Sequence, residues 1–125
     1  MRIAIDAFGL RLNSGVRTYT EHLIKSLQVA EHDVTVIYAS PEDQLETPYD
    51  HKIIGPRRKL FIPFRDNITV RRYLKREDFD VYHVTRSTGP VFEVNGVKMI
   101  RTIHDLCNRY TNKQRVDKLS KLYKV

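Results

Sequence analysis

Strand-like runs alternate with helix-like segments along this chain of 125 residues, and this alternation limits the folds that it can adopt. Runs of β-branched and aromatic residues predict strands, whereas apolar residues repeating on one face predict helices. The predicted strands are residues 2–7, 33–39, 52–54, 80–85 and 97–103, and the predicted helices are 16–30, 66–77 and 112–124. This order predicts an α/β fold, a doubly wound parallel sheet with helices on both faces.

The length and composition favour one folded domain over residues 1–125, because no repeat, low-complexity tract or linker divides the chain. No run approaches the roughly 18 apolar residues that a membrane span needs. The first residues do not read as a secretory signal. A single cysteine, Cys107, excludes a disulfide framework and a Cys-based zinc site. We therefore expect a cytoplasmic protein.

The net charge of +7 is concentrated in one segment. Residues 57–76 contain eight basic side chains against Asp66 alone, so the rest of the chain balances. The basic side chains are Arg57, Arg58, Lys59, Arg65, Arg71, Arg72, Lys75 and Arg76. Such a run is either a solvated helix face or a patch that attracts phosphate, anionic lipid or nucleic acid. Phe61 and Phe64 within it suit a membrane surface or a protein core equally well.

In open parallel sheets, ligands bind at the carboxyl ends of the strands. This rule selects the loops at residues 8–15, 85–90 and 104–110. Ser14 is a candidate N-cap for the first helix, and Gly15 would let a phosphate approach its free amides, although a glycine here is also ordinary turn chemistry. The loop matches neither the Walker pattern nor the dinucleotide fingerprint.

His104 follows a predicted strand directly, which predicts that its ring enters the same cleft. An imidazole there can donate to an oxyanion or a sugar hydroxyl, or it can be tied to a local carbonyl. His83 lies inside a predicted strand and is expected to be packed. No metal-binding motif and no nucleophile elbow occurs.

Five segments together resemble the N-terminal domain of family 4 glycosyltransferases: RIAIDAFGL, NSGVRTYTEHLIKSL, DVTVIYAS, DFDVYHVT and VKMIRTIHDL. The resemblance implies a Rossmann-like sheet that forms the N-terminal half of a GT-B architecture. It implies a retaining transferase without a metal or other cofactor, which moves a sugar from a nucleotide-sugar to a sugar, lipid or small-molecule acceptor.

The resemblance also assigns roles to residues of this sequence. It implies that Ser14, Gly15 and Val16 lie close to the substrates, and that His104, followed by Asp105, is the catalytic histidine. We expect Arg17, Arg86 and Thr88 to contribute to substrate binding. The resemblance further implies membrane or anion contact for the basic segment, through Arg57, Arg58, Lys59, Arg71 and Arg72.

The nucleotide-sugar-binding domain of such enzymes does not occur in these 125 residues. We therefore expect the chain to be inactive by itself and to work with a donor domain in a longer chain or in a second subunit. The alternative is a non-catalytic module that docks to an anionic membrane, to nucleic acid or to a partner protein. Nucleic acid is the weaker form of this alternative, because RNP-type and helix-turn-helix signals are missing.

Overall fold

The computed structural model describes residues 1–8, 10, 14–55, 65–86, 90 and 92–104. Its centre is a five-stranded sheet in which every pairing between neighbouring strands is parallel. The strands are β1 (Arg2–Asp6), β2 (Asp33–Tyr38), β3 (Asp50–Ile53), β4 (Val81–Val84) and β5 (Lys98–Arg101). Their order is β3-β2-β1-β4-β5, which confirms the predicted parallel α/β sheet.

Two helical segments cover the two faces of this sheet. Helix α1 (Ser14–Val29) follows β1, and α2 (Val70–Arg76) precedes β4 and is entered through a π-helical turn at Arg65–Thr69. Each helix is followed by a residue with left-handed backbone, Glu31 after α1 and Asp78 after α2. That conformation ends a helix by turning the chain out of its axis. The predicted helix at 112–124 lies outside the described residues.

Alternation along β1 divides the core into two clusters. Ile3 and Ile5 point to the α1 side and pack with Ile24, whereas Ala4 points to the α2 side and packs with Leu74. Since successive side chains of a strand face opposite ways, a central parallel strand must be apolar on both faces. This requirement explains why the sequence predicts β1 as one continuous apolar run.

The loop before β5 turns at Asn95-Gly96, as the sequence predicts. Val97 N donates to Val94 O over 3.0 Å, and Gly96 has a φ of +83°. The edge strands β3 and β5 are largely exposed. Among the described residues, no helix has the length and apolar character needed to cross a membrane.

Candidate functional site

The strand order reverses beside β1, and this reversal defines the candidate site. From β1 the sheet extends through β2 to β3 on one side, and through β4 to β5 on the other. Ligands of open α/β sheets bind where two loops diverge at such a point. We call the residues at this edge the switch-point rim: Asp6, Thr85, Arg86, Thr102 and His104.

The His104 ring is fixed at two places on the switch-point rim. Its Nε2 lies 2.6 Å from the backbone oxygen of Thr85, which follows β4. The Tyr19 ring, from the second turn of α1, meets the His104 ring edge to face with centroids 4.9 Å apart. His104 nevertheless remains exposed. The sequence left open whether His104 would bind a local carbonyl. The Thr85 carbonyl oxygen does bind one ring nitrogen, and the histidine is still accessible.

A chain of hydrogen bonds runs behind this histidine. The Tyr19 hydroxyl lies 2.9 Å from Thr102 Oγ1, and His83 Nε2 lies 2.8 Å from the same oxygen. Burial lowers the pKa of His83 below its ordinary value of 6.5, against a smaller opposing effect of Asp6. His83 is therefore a packed, neutral histidine, as its position inside a strand indicates.

The first residues of α1 differ in their exposure to solvent. Gly15 is exposed at the start of the helix, whereas Val16 is buried. Arg17 is exposed and pairs with Glu21 at 2.9 Å, beside a groove of about 440 Å³ between α1 and residues 44–47. Two residues along a helix point about 200° apart, so Arg17 lies on the flank opposite Tyr19.

Four buried charged side chains form a second cluster, in which Asp6 and Arg86 of the switch-point rim meet Arg65 and Asp66. Arg86 Nη2 lies 3.2 Å from Asp6 Oδ2 and 2.9 Å from Asp66 Oδ2. Arg65 Nη2 lies 3.0 Å from Asp66 Oδ1. Two arginines and two aspartates neutralise one another, so the buried cluster carries no net charge.

Two aromatic residues, Tyr82 and Phe8, lie against this cluster of charged side chains. The Tyr82 hydroxyl donates to Asp6 Oδ2 over 2.9 Å, and the Arg65 guanidinium lies 4.0 Å from the centroid of the Phe8 ring. Burial first, and then Asp6, raise the pKa of Tyr82 well above 10.0. Burial disfavours the charged form of Arg86, but the Asp6 and Asp66 carboxylates outweigh it and raise the pKa of Arg86.

A family of known proteins matches most of the chain. The sequence model of Glycosyltransferase Family 4 matches residues 13–124. The chain belongs to glycosyltransferase family 4. No curated protein and no solved structure gave a significant match to it. Membership of the family agrees with the Rossmann-like α/β sheet and with the resemblance of its sequence segments.

The predicted site residues of this family 4 chain are only partly brought together. His104 lies near α1 through Tyr19, and Arg86 lies on the same rim with its guanidinium committed to Asp6 and Asp66. Their roles in binding and catalysis stay predictions. Six other predicted positions fall outside the described residues or, for Ser14, outside the described side chains: Ser14, Arg57, Arg58, Lys59, Thr88 and Asp105.

The basic segment requires one correction. Arg65 belongs to the basic run that predicts a surface patch, but it is 4% exposed and paired with Asp66. Arg71 and Arg72 are exposed on α2, as a surface patch requires. Together with Lys75 they surround Ile68, which is 38% exposed, at a shallow depression of about 280 Å³.

Sequence reasoning missed the roles of Tyr19, Thr102 and Asp66. Tyr19 falls on the apolar face of the predicted helix and gives no separate signal, while Thr102 lies inside a predicted strand. Asp66 does stand out in the sequence as the one acid in a basic run, but the run does not reveal that Asp66 is buried. Among the described residues, no group of three or more His, Cys, Asp or Glu side chains is placed to hold a metal ion.

Proposed function

We propose that the chain forms the acceptor side of a retaining, nucleotide-sugar-dependent glycosyltransferase. One observation carries this proposal: an exposed histidine, His104, is held at the switch point against Tyr19 of α1. An imidazole in that position can contact a sugar substrate while the sheet supplies a rigid base. Family membership supports sugar transfer as the reaction class.

The proposal assigns the departing diphosphate to a second, donor-binding domain in a longer chain or another subunit. A leaving diphosphate needs fixed cations or amide dipoles around it. Arg86, the arginine of the switch-point rim, is already paired with two carboxylates. The positive charge around the diphosphate therefore comes from the donor domain.

In this proposal the acceptor oxygen bonds to the sugar carbon as the carbon–oxygen bond to the diphosphate breaks, and the hydroxyl proton leaves with the diphosphate. Configuration is retained, and no protein nucleophile takes part. The acceptor is a sugar, a lipid or a small molecule, and no resident cofactor takes part. His104 contacts the reacting sugars, and Gly15 leaves room at the helix start. The chain acts from the cytoplasm or the cytoplasmic membrane face.

The test is the substitution His104→Ala in a transferase that joins this chain to a donor domain. We expect turnover to fall about 10-fold, as for the loss of one hydrogen bond to the reacting sugar. His51→Ala is the control, because His51 is exposed on β3 at the opposite edge of the sheet. Full turnover by a folded His104→Ala enzyme contradicts the proposal.

A second experiment tests the need for a donor domain. The 125-residue chain alone should hydrolyse or transfer no sugar from a nucleotide-sugar above background, whereas the joined transferase should. Sugar transfer by the isolated chain would show that the diphosphate is bound within it.

We also propose that α2 docks to an anionic membrane. The exposed Arg71, Arg72 and Lys75 around Ile68 support this proposal, since cations beside an apolar side chain suit the lipid headgroup region. Arg71→Glu with Arg72→Glu should abolish sedimentation with anionic vesicles. Lys25→Glu with Lys98→Glu changes the net charge equally at other exposed positions and should retain it.

Salt and lipid composition separate the outcomes of that experiment. Specific docking should weaken as ionic strength rises and should vanish on zwitterionic vesicles. An equal loss of vesicle binding in both double variants would show that the overall charge of the protein, and not this surface, causes the binding. Binding of oligonucleotides but not of vesicles would assign the same cations to nucleic acid.

A further inference from the structure

The chemistry of the partner at His104 Nε2 fixes the direction of that hydrogen bond. The partner is the backbone oxygen of Thr85, and a carbonyl oxygen accepts but cannot donate. Nε2 must therefore carry the proton. In the neutral ring the other nitrogen, Nδ1, is then unprotonated and can only accept. No hydrogen bond joins Nδ1 to another of the described residues.

The Tyr19 ring holds this arrangement from the other side. It packs edge to face on the His104 ring, and its hydroxyl is bound to Thr102, two residues before His104. His83 binds the same Thr102 oxygen from β4. Because Tyr19 is anchored at its hydroxyl, its ring cannot turn away without breaking a bond that joins α1 to the end of β5.

We infer that His104 is fixed as the Nε2–H tautomer and that Tyr19 and Thr102 are the positioning residues that hold it so. This inference rests on the proposed function for its consequence. Nδ1 is unprotonated and bound to none of the described residues, so neutral His104 can accept a hydrogen bond from a hydroxyl there and cannot donate one to a phosphate oxygen. The ligand group it recognises is therefore a hydroxyl of the sugar substrate.

Long-range proton–nitrogen NMR of the ¹⁵N-labelled chain tests the tautomer without any substrate. The spectrum distinguishes a protonated from an unprotonated ring nitrogen, and the variant His104→Gln identifies the signals of His104 among those of five histidines. At a pH where the ring is neutral, we expect Nε2 to be protonated and Nδ1 to be unprotonated. The reverse pattern, or equal mixing of the two tautomers, overturns the inference.

Two variants test the role of Tyr19. Tyr19→Leu removes the ring and should make the two His104 nitrogen shifts converge, because both tautomers become populated. Tyr19→Phe keeps the ring but removes the hydroxyl that anchors it to Thr102, so its His104 shifts should converge only part of the way. Tyr73→Leu is the matched control, since Tyr73 is also a half-buried tyrosine but packs on the α2 side of the sheet.

Unchanged His104 shifts in folded Tyr19→Leu overturn the positioning role. If that variant does not fold, Thr102→Val replaces it, because it removes the hydroxyl that anchors Tyr19 and keeps the side-chain volume. The His104 shifts of Thr102→Val should also converge. Unchanged shifts in this variant would likewise overturn the positioning role. This outcome is independent of the test of sugar transfer. The expected tautomer can be observed even if His104→Ala stays active, and His104→Ala can lose activity even if the expected tautomer is not observed.

Discussion

Arg86 and Asp66 are 20 residues apart in the chain, yet Arg86 Nη2 lies 2.9 Å from Asp66 Oδ2 in the interior of the protein. The contact joins the end of β4 to the π-helical turn that leads into α2. Both side chains are almost completely buried. A buried charge is costly unless it is paired and hydrogen-bonded, so each member of this cluster depends on the others.

Asp66→Ala should therefore destabilise the fold strongly. The substitution removes one of the two carboxylates that neutralise Arg65 and Arg86. Breaking a buried ion pair costs about 3–5 kcal/mol. Urea unfolding followed by circular dichroism measures the change. Glu77→Ala is the control, since Glu77 pairs with Arg76 on the surface and its loss should cost at most about 1 kcal/mol. Equal losses in the two variants would contradict the structural interpretation.

The buried cluster also shows where sequence reasoning fails. The run 57–76 reads as a surface patch because charge density is a local property of the sequence. Asp66 pairs with Arg86, 20 residues further along the chain, and Arg86 also pairs with Asp6. These residues meet only because β4 pairs with β1. No spacing within the run reveals that pairing.

The central strands were predictable for the opposite reason. Strands β1, β2 and β4 are buried on both faces, and burial imposes continuous apolar runs that can be read directly. Strand β3 runs over Asp50–Ile53 rather than over the predicted 52–54. All four of its residues are exposed, so no apolar signal marks where the edge strand begins.

The same difference applies to the candidate site. His104 was predictable from its place directly after a strand, because strand ends converge on one edge. Tyr19 contacts Thr102, which is 83 residues further along the chain. A tyrosine on the apolar face of a helix does not indicate in the sequence that its hydroxyl has a polar partner. Local patterns predict the elements and the rim, whereas side-chain pairs across elements require the fold.

Tyr82→Phe should lower stability at neutral pH and make it less sensitive to alkali. Its hydroxyl donates to the Asp6 carboxylate, and a hydrogen bond to a charged group contributes about 1.5–3 kcal/mol. Because the pKa of Tyr82 is raised by burial and by Asp6, the folded protein holds this proton after the unfolded chain releases it. The contribution is complete below pH 10 and declines above it.

Unfolding free energies between about pH 9 and pH 11 measure this effect. The difference between the wild-type protein and Tyr82→Phe should shrink as the pH rises. Tyr19→Phe is the comparison, since Tyr19 is only partly buried. A constant difference for Tyr82→Phe across this range would show that Tyr82 ionises no later in the folded protein than in the unfolded chain.

His83→Asn should reduce the loss of stability in mild acid. Burial lowers the pKa of His83 below 6.5, so the unfolded chain binds a proton first as the pH falls. The wild-type protein therefore has its full His83 contribution above pH 6.5 and loses it on acidification. Thermal unfolding at about pH 7.5 and about pH 5.5 compares the slopes. His51→Asn, on exposed β3, should keep the wild-type slope, and an unchanged slope in His83→Asn would refute the expectation.

Gly96→Ala should destabilise the protein through the backbone alone. Gly96 has a φ of +83°, a conformation that costs residues with a Cβ about 1–2 kcal/mol. A Cβ added there meets no atom within 4 Å, so a steric clash makes no contribution. Gly55→Ala is the matched control, because the space around Gly55 is equally open and its φ is outside the left-handed range. Urea unfolding should give a loss for Gly96→Ala and either no change or a gain of up to about 1 kcal/mol for Gly55→Ala. Equal effects of the two substitutions would mean that the Asn95-Gly96 turn does not require its left-handed residue.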